Sequence, residues 1–196
     1  MAIGIIPFAA SDQALLEQAV AGDREALGEL FARHRSLAYR VAYRLLGNEA
    51  DALDAVQDAF VKALTRLPSF QGRSSFKTWL LRVVSNSALD LGRQRGRRET
   101  ISMDGAGPKR REEFEPMTHP APDAELERAD LRRKVYEALL QIPPVQRQTF
   151  VLHAEAELSY REIAETLGIS IGTVMSRLFY TRQRLRALLS SWVENE

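Results

Sequence analysis

The sequence has no cysteine among its 196 residues. That excludes disulfides, thiolate catalysis and cysteine-based zinc sites, and it fits a reducing compartment. Histidine is nearly absent as well. His34, His119 and His153 are too scattered to read as a metal triad, so no metal site is expected. No nucleophile motif and no glycine-rich phosphate cradle is found. No catalytic residue and no cofactor are therefore assigned, and the reading is against an enzyme. No run of about eighteen apolar residues exists, so no membrane-inserted segment is expected. The opening MAIGIIPFAA is apolar but short, lacks a basic leader and is broken by Pro7, which makes a poor secretion signal.

An excess of either charge is also missing: 27 basic and 26 acidic residues leave a net charge of +1. The distribution is more telling than the sum. From Asp12 to Asp58 acids outnumber bases. From Lys62 to Arg98 the balance reverses, ending in Arg93, Arg95, Arg97 and Arg98, and the last long helical stretch is basic again. Separate acidic and basic blocks on one chain imply two kinds of partner, a basic or polar protein surface and a nucleic acid.

Apolar residues recur with helical spacing over most of the chain, without a strand-like alternation or an internal repeat. Asp12 is placed to cap a first helix. Asp23 to Leu46 is a long amphipathic stretch broken by Gly47-Asn48. Glu49 to Leu67 follows, stopped by Pro68, and Phe76 to about Gln94 is the next helix. Residues 96–124 are rich in Gly, Pro and charge, and read as a flexible linker. The helical pattern resumes after it, with Pro144 suited to a first helical turn. The expected fold is all-α: an N-terminal helical domain over 12–95 and a C-terminal helical domain over 125–196.

The C-terminal domain carries the most specific local signal, LSYREIAETLGISIGTVMSRLFYTRQRL over Leu158–Leu185. Ser159 and Glu162 form an S-x-x-E capping box. Gly168 tolerates a left-handed helix end, and Ser170 can cap a second helix. Two short helices on a tight turn are the organisation of a helix-turn-helix. At about 100° per residue, Val174, Leu178, Thr181, Leu185 and Leu188 fall on the buried side of the second helix. Met175, Ser176, Phe179 and Tyr180 fall opposite, with Thr173 and Arg184 on one flank and Arg177 nearer the core edge. Exposed Met, Phe and Tyr suit contact with base edges and thymine methyls. No acid occurs between Glu165 and Glu194, while Arg177, Arg182, Arg184 and Arg186 do, which removes repulsion against phosphate.

The N-terminal domain offers two further surfaces. Asp51, Asp54, Gln57 and Asp58 lie on or near the outer side of the helix DALDAVQDAFVKAL, as a solvated acidic face or a docking surface. Downstream, Phe70, Phe76 and Trp79 can wall a site for unpaired bases, although Trp79 also sits on the core face. Asn86 offers a donor and an acceptor to a base edge. Arg73, Lys77, Arg82 and the Arg93–Arg98 cluster supply a cationic track.

The order of these elements resembles a bacterial RNA polymerase sigma factor of the small, extracytoplasmic-function type. The motifs are an acidic DAxDxVQxAF-type helix, GxSSFxTWLxRVxxN, an arginine cluster, a linker, and IPPxQRxxFxL before the helix-turn-helix. The resemblance implies core polymerase docking, on its largest catalytic subunits, through Asp51, Asp54, Gln57 and Asp58. It implies −10 DNA binding through Gln71, Gly72, Arg73, Ser74, Ser75, Lys77, Asn86 and Arg93. It implies −35 binding through Thr173, Met175, Ser176, Arg177, Phe179, Tyr180 and Arg184. Further implied are promoter DNA and an anti-sigma factor as partners, and the bacterial cytoplasm as the setting, near the membrane when such a partner holds the chain there. Leu53 stands where an acid is common, which is expected to weaken one docking contact; Met175 and Tyr180 stand where bases are common, so the −35 preference is expected to differ from that of well-known relatives. The rival reading is a helix-turn-helix regulator that binds duplex DNA without being a polymerase subunit. Transcription from core polymerase separates the two.

Overall fold

The computed structural model describes residues 10–102 and 123–193. The opening apolar stretch, His119 and most of the expected linker lie outside the described residues. Those described contain eight α-helices, one short 3-10 turn and no strand: α1 (Asp12–Val20), α2 (Arg24–Leu46), α3 (Glu49–Arg66), α4 (Phe76–Ser102), α5 (Asp123–Leu140), α6 (Pro144–Ala154), α7 (Tyr160–Leu167) and α8 (Ile171–Val193).

The helix boundaries follow from capping chemistry. Asp23 accepts from the backbone N–H groups of Glu25 and Ala26 to start α2, and Gly47 ends it in the left-handed conformation at φ 94°. Asn48 then caps α3 through the N–H of Asp51. At α1 the expectation shifts by one residue. Ser11 is the cap, accepting from Ala14, whereas Asp12 reaches across to α2 and pairs with His34 at 2.7 Å and with Arg33. The other difference is at α4, which continues through residues 96–102 into the stretch read as linker. Arginine and glutamine are good helix formers, so the Arg-rich segment prolongs the helix rather than ending it.

Helices α2, α3 and α4 pack mutually, and α1 lies across α2 and α4. Their seam is built from alanine: Ala38, Ala42, Ala52, Ala55, Ala59, Ala63 and Ala88 are all buried, among Leu30, Val41, Leu45, Leu80, Leu81 and Val84. Small side chains let the helix axes approach closely, and each larger neighbour fills the space that an alanine leaves. Phe31 packs on Phe60 and Phe76 with ring centroids 4.7 and 5.9 Å apart, closing one end.

In the C-terminal half α8 packs on α5, α6 and α7, with Ile163, Val174 and Leu178 fully buried. The two halves share a core. Val151, Leu152, Ala156, Leu158, Ile163 and Ala164 belong to the same buried cluster as the α2–α4 seam, as α6 packs on α2 and α7 on α4. Tyr136 of α5 stacks on Tyr43 at 5.1 Å and donates to the Tyr43 carbonyl, while Arg44 lies over its ring. Gly47 sits under this contact. An added Cβ would lie 3.0 Å from Leu140 Cδ1 and 3.1 Å from Tyr136 Oη.

Gly47→Ala is therefore expected to destabilise the chain by about 1–2 kcal/mol, from the left-handed backbone alone, with the Tyr136 contact adding to it. Denaturant unfolding followed by circular dichroism measures this, and an unchanged midpoint contradicts the packing described.

Candidate polymerase and nucleic-acid interfaces

The first interface is the outer surface of α3. Leu53, Gln57, Val61 and Leu64 share one exposed face by helical spacing, and the three apolar members are about half exposed in spite of their size. Asp54 and Asp58 flank that face on the side toward α4. There they meet Lys62, Ser87, Asp90 and Gln94 around a cleft of about 240 Å³. Burial pushes the Asp58 carboxyl up, but hydrogen bonds from Lys62 and Ser87 outweigh it and hold the group below its ordinary value. Asp58 is thus a fixed negative charge at neutral pH.

Asp51 departs from the expectation that it lies on the outer side. It is 2% exposed, accepts from Asn48 Nδ2 at 2.7 Å and is ion-paired with Arg95 of α4. Its position one turn into α3 points it at α4, where a carboxylate requires a cation. The pair also engages Arg95, one of the arginines read as a phosphate contact. Asp51 and Arg95 join α3 to α4, and the exposed acidic face is reduced to Asp54 and Asp58 beside Gln57.

The second interface lies where α3 and α4 diverge on the basic side. Lys62 and Arg66 of α3 face Trp79, Arg82, Val83, Asn86 and Asp90 of α4 around a cleft of about 370 Å³. Asn86 is exposed at its rim. Trp79 is half-buried, held edge-on by Phe70 at 5.3 Å and packed on Phe76 at 5.7 Å. Phe76, expected as a wall of the site, is buried core. Lys62 and Arg66 escaped the sequence reading because they sit on the acidic helix. Their spacing of four residues was the available signal, since it puts both on one face.

The loop before α4 is ordered by its own polar groups. Gly72 takes φ 66°, and Ser75 Oγ caps α4 by accepting from the Thr78 N–H at 3.1 Å while bonding to Thr78 Oγ1. Gln71, Gly72 and Arg73 are exposed, Ser74 and Lys77 are half-buried, and Arg93 is exposed beside Asp90. The structure brings Lys77 to the C-terminal half, where its charge helps to hold down the Glu162 pKa.

The third interface is α8. The capping box is complete: Ser159 accepts from the Glu162 N–H and the Glu162 carboxylate accepts from Ser159. Gly168 ends α7 at φ 65°, and Ser170 Oγ accepts from the Thr173 N–H at 3.1 Å to start α8. This turn presents Met175, Phe179 and Tyr180 at 55%, 56% and 58% exposure. Phe179 and Tyr180 meet edge to face at 5.5 Å, and Ile171 extends the exposed apolar row by one turn. Ser176 and Arg184 are exposed beside them, Thr173 is half-buried, and Arg177 reaches Thr149 Oγ1 at 3.4 Å toward the core. Thr181 lies on the buried side, where its hydroxyl is satisfied by the Arg177 carbonyl.

A helical bundle joined to a helix-turn-helix agrees with the family matches. Residues 30–98 match Sigma-70 region 2, and residues 132–185 match Sigma-70, region 4. The chain belongs to the sigma-70 family.

Within it, the chain is a member of the ECF RNA polymerase sigma factors, which direct transcription initiation. It is 37% identical to the ECF RNA polymerase sigma factor SigE of Mycolicibacterium smegmatis over 174 residues, covering 86% of this chain and 65% of that one. It is 32% identical to the ECF RNA polymerase sigma-E factor of Haemophilus influenzae, covering 89% of this chain and 93% of that one. Among solved structures it is similar to CnrH in complex with the cytosolic domain of CnrY, at 29% identity and a TM-score of 0.67 over 93% of this chain and 99% of that one. It is also similar to RpoE in complex with the anti-sigma factor NepR from Bartonella quintana, at 27% identity and a TM-score of 0.67 over 86% of this chain and 98% of that one. No helix among the described residues is long and apolar enough to cross a membrane.

Glu162 makes the helix-turn-helix acid-sensitive. Hydrogen bonds from the Ser159 backbone and hydroxyl lower its pKa, more than burial raises it. A carboxylate with a depressed folded pKa contributes stability that is present above its unfolded pKa and lost as pH falls through the folded one. Glu162→Gln is expected to remove that part of the acid dependence, and Ser159→Ala to cost about 0.5–2 kcal/mol at neutral pH. Thermal melts of the three chains between neutral and acid pH measure both effects.

Proposed function

We propose that this sigma factor binds core RNA polymerase through the outer face of α3, captures unpaired −10 DNA in the basic cleft beside Asn86, and reads −35 duplex with the exposed face of α8. The arrangement around Asn86 carries the reading. A carboxamide able to read a base edge stands at the rim of a cleft that combines an aromatic wall with Lys62, Arg66 and Arg82. Stacking on an aromatic surface contributes about 1–3 kcal/mol per unpaired base, and the cations hold its phosphates. A duplex-only regulator has no use for such a cleft, which disfavours that rival.

Docking on polymerase joins an apolar strip, Leu53, Val61 and Leu64, to the charges of Asp54 and Asp58 and the amide of Gln57. Apolar contact provides area and the acids select a basic partner. On α8, Ser176, Met175, Phe179 and Tyr180 meet base edges and thymine methyls, while Thr173 and Arg184 lie toward the phosphates and Arg177, bonded to Thr149, braces the helix from the core side. Gln71, Gly72, Arg73, Ser74, Ser75 and Lys77 line the approach to α4, and Arg93 extends the cationic track. The two solved relatives are complexes with CnrY and with the anti-sigma factor NepR. An anti-sigma partner is proposed for this chain on that ground. The chain acts in the bacterial cytoplasm and contributes specificity rather than catalysis.

Run-off transcription with core polymerase tests the reading. Asn86→Ala is expected to reduce output by about tenfold or more, the size of one lost base-edge contact, and a premelted −10 segment should not restore base selectivity. Ser176→Ala with Tyr180→Ala is expected to change which −35 sequences are used. Asp54→Lys with Asp58→Lys is expected to weaken competition for core polymerase, less so at high salt. Output unchanged in all three variants overturns the assignments.

A further inference from the structure

We propose that α8 selects promoters by the methyl groups on pyrimidine C5 atoms, so that thymines mark the −35 element by their methyls rather than by their hydrogen-bonding edges, and 5-methylcytosine can take a thymine's place there. This rests on the assignment of α8 to −35 duplex. The inference starts from what the reading end of the helix lacks. Base edges are met by the first turns of a recognition helix. Between Ile171 and Tyr180 there is no Lys, Asn, Gln, Asp or Glu, and the one arginine, Arg177, is turned to Thr149 Oγ1 on the core side. Those are the side chains that pair with guanine, adenine and cytosine in the major groove. The short hydroxyls at this end are already engaged. Ser170 and Thr173 bond to each other at 2.9 Å, and Ser176 donates to the Thr173 carbonyl at 3.0 Å, which leaves it an acceptor. Tyr180 adds a single hydroxyl at the tip of an apolar ring.

What this end presents instead is apolar. Ile171, Met175 and Phe179 follow one another at four-residue spacing, each about half exposed, and the Tyr180 ring meets Phe179 edge to face. Four residues advance about 6 Å along a helix, close to two base-pair steps of about 3.4 Å each. Gly172 is exposed between Ile171 and Met175 and has no side chain to hold the backbone away from the base edges. Exposed Arg182, Arg184 and Arg186 follow in the next turns, with no acid between Glu165 and Glu194. Charge therefore names the occupant of the apolar row. An apolar peptide would leave those arginines without counter-charge, whereas duplex DNA supplies phosphates to them and methyl groups to the row. Thymine carries the one apolar group among the four bases in the major groove. In 5-methylcytosine the same group stands at the same ring position.

Run-off transcription by the full chain with core polymerase tests this, on promoters selected from a pool randomised across the −35 element. The selected element is expected to carry thymines. Replacing them with uracil removes the methyl and leaves every donor and acceptor in place. At limiting sigma factor, output is expected to fall about fourfold for each methyl that meets the row, the worth of one buried group of that size. Cytosine paired with guanine in place of such a thymine should lower output, and 5-methylcytosine should recover about fourfold of the loss. Met175→Gln with Phe179→Gln, both at exposed positions, should make thymine and uracil promoters equal. A difference that came from DNA stiffness alone would persist in that variant. Equal output on thymine and uracil promoters with the unaltered chain overturns the proposal. So does a difference that survives in the double variant, or a selected element made only of G·C pairs. A pool that yields no preferred −35 sequence overturns the assignment of α8 to the −35 element and the proposal with it. A preferred sequence indifferent to uracil overturns methyl selection alone.

Discussion

The close approach of α2, α3 and α4 is the constraint on which the rest of the molecule depends. Seven buried alanines let three helices meet with little space between them. That packing fixes α4 along its length, and α4 supplies a part to both clefts beside α3 and to the junction with the C-terminal half. Its apolar side, Leu80, Leu81 and Val84, is core. One polar edge, Trp79, Arg82 and Asn86, forms the basic cleft with α3. Another, Thr78 and Ser85, meets the C-terminal half. A larger side chain in the seam would move α4 and disturb both clefts and the junction together.

The charge pattern becomes intelligible in these terms. A net charge near zero is unhelpful for holding DNA in isolation. Here Asp54 and Asp58 stand on the α3 face beside α4, while Lys62, Arg66 and Arg82 gather at the cleft and Arg182, Arg184 and Arg186 on α8. Separate weak surfaces on one chain reinforce one another only when all can engage at once. On the proposed function, specificity then belongs to the complex with polymerase, and the free protein is expected to have little attraction for random duplex.

Much of this was legible in the sequence because it depends on local rules. Asp23, Gly47, Asn48, Ser159, Gly168 and Ser170 mark helix ends by chemistry that acts over four residues, and they fall where expected. The split of α8 into a buried and an exposed face follows from its period, and Val174, Leu178, Thr181 and Leu185 are buried accordingly. What was not legible involves partners distant in sequence. Asp51 looks like its acidic neighbours until Arg95, forty-four positions on, is placed beside it. Phe76 looks like a binding-site aromatic until Phe31 packs on it. Gln148 carries no local signal at all, because its role comes from Ser85 and Asn86.

The account's central claim is the proposal that Asn86 reads an unpaired base at the rim of the basic cleft between α3 and α4. The most direct measurement is run-off transcription with core RNA polymerase by Asn86→Ala and by the unaltered chain, on promoters varied through the −10 element. The account predicts that the variant loses both output and discrimination between −10 bases. Output and base preference equal to those of the unaltered chain would contradict it.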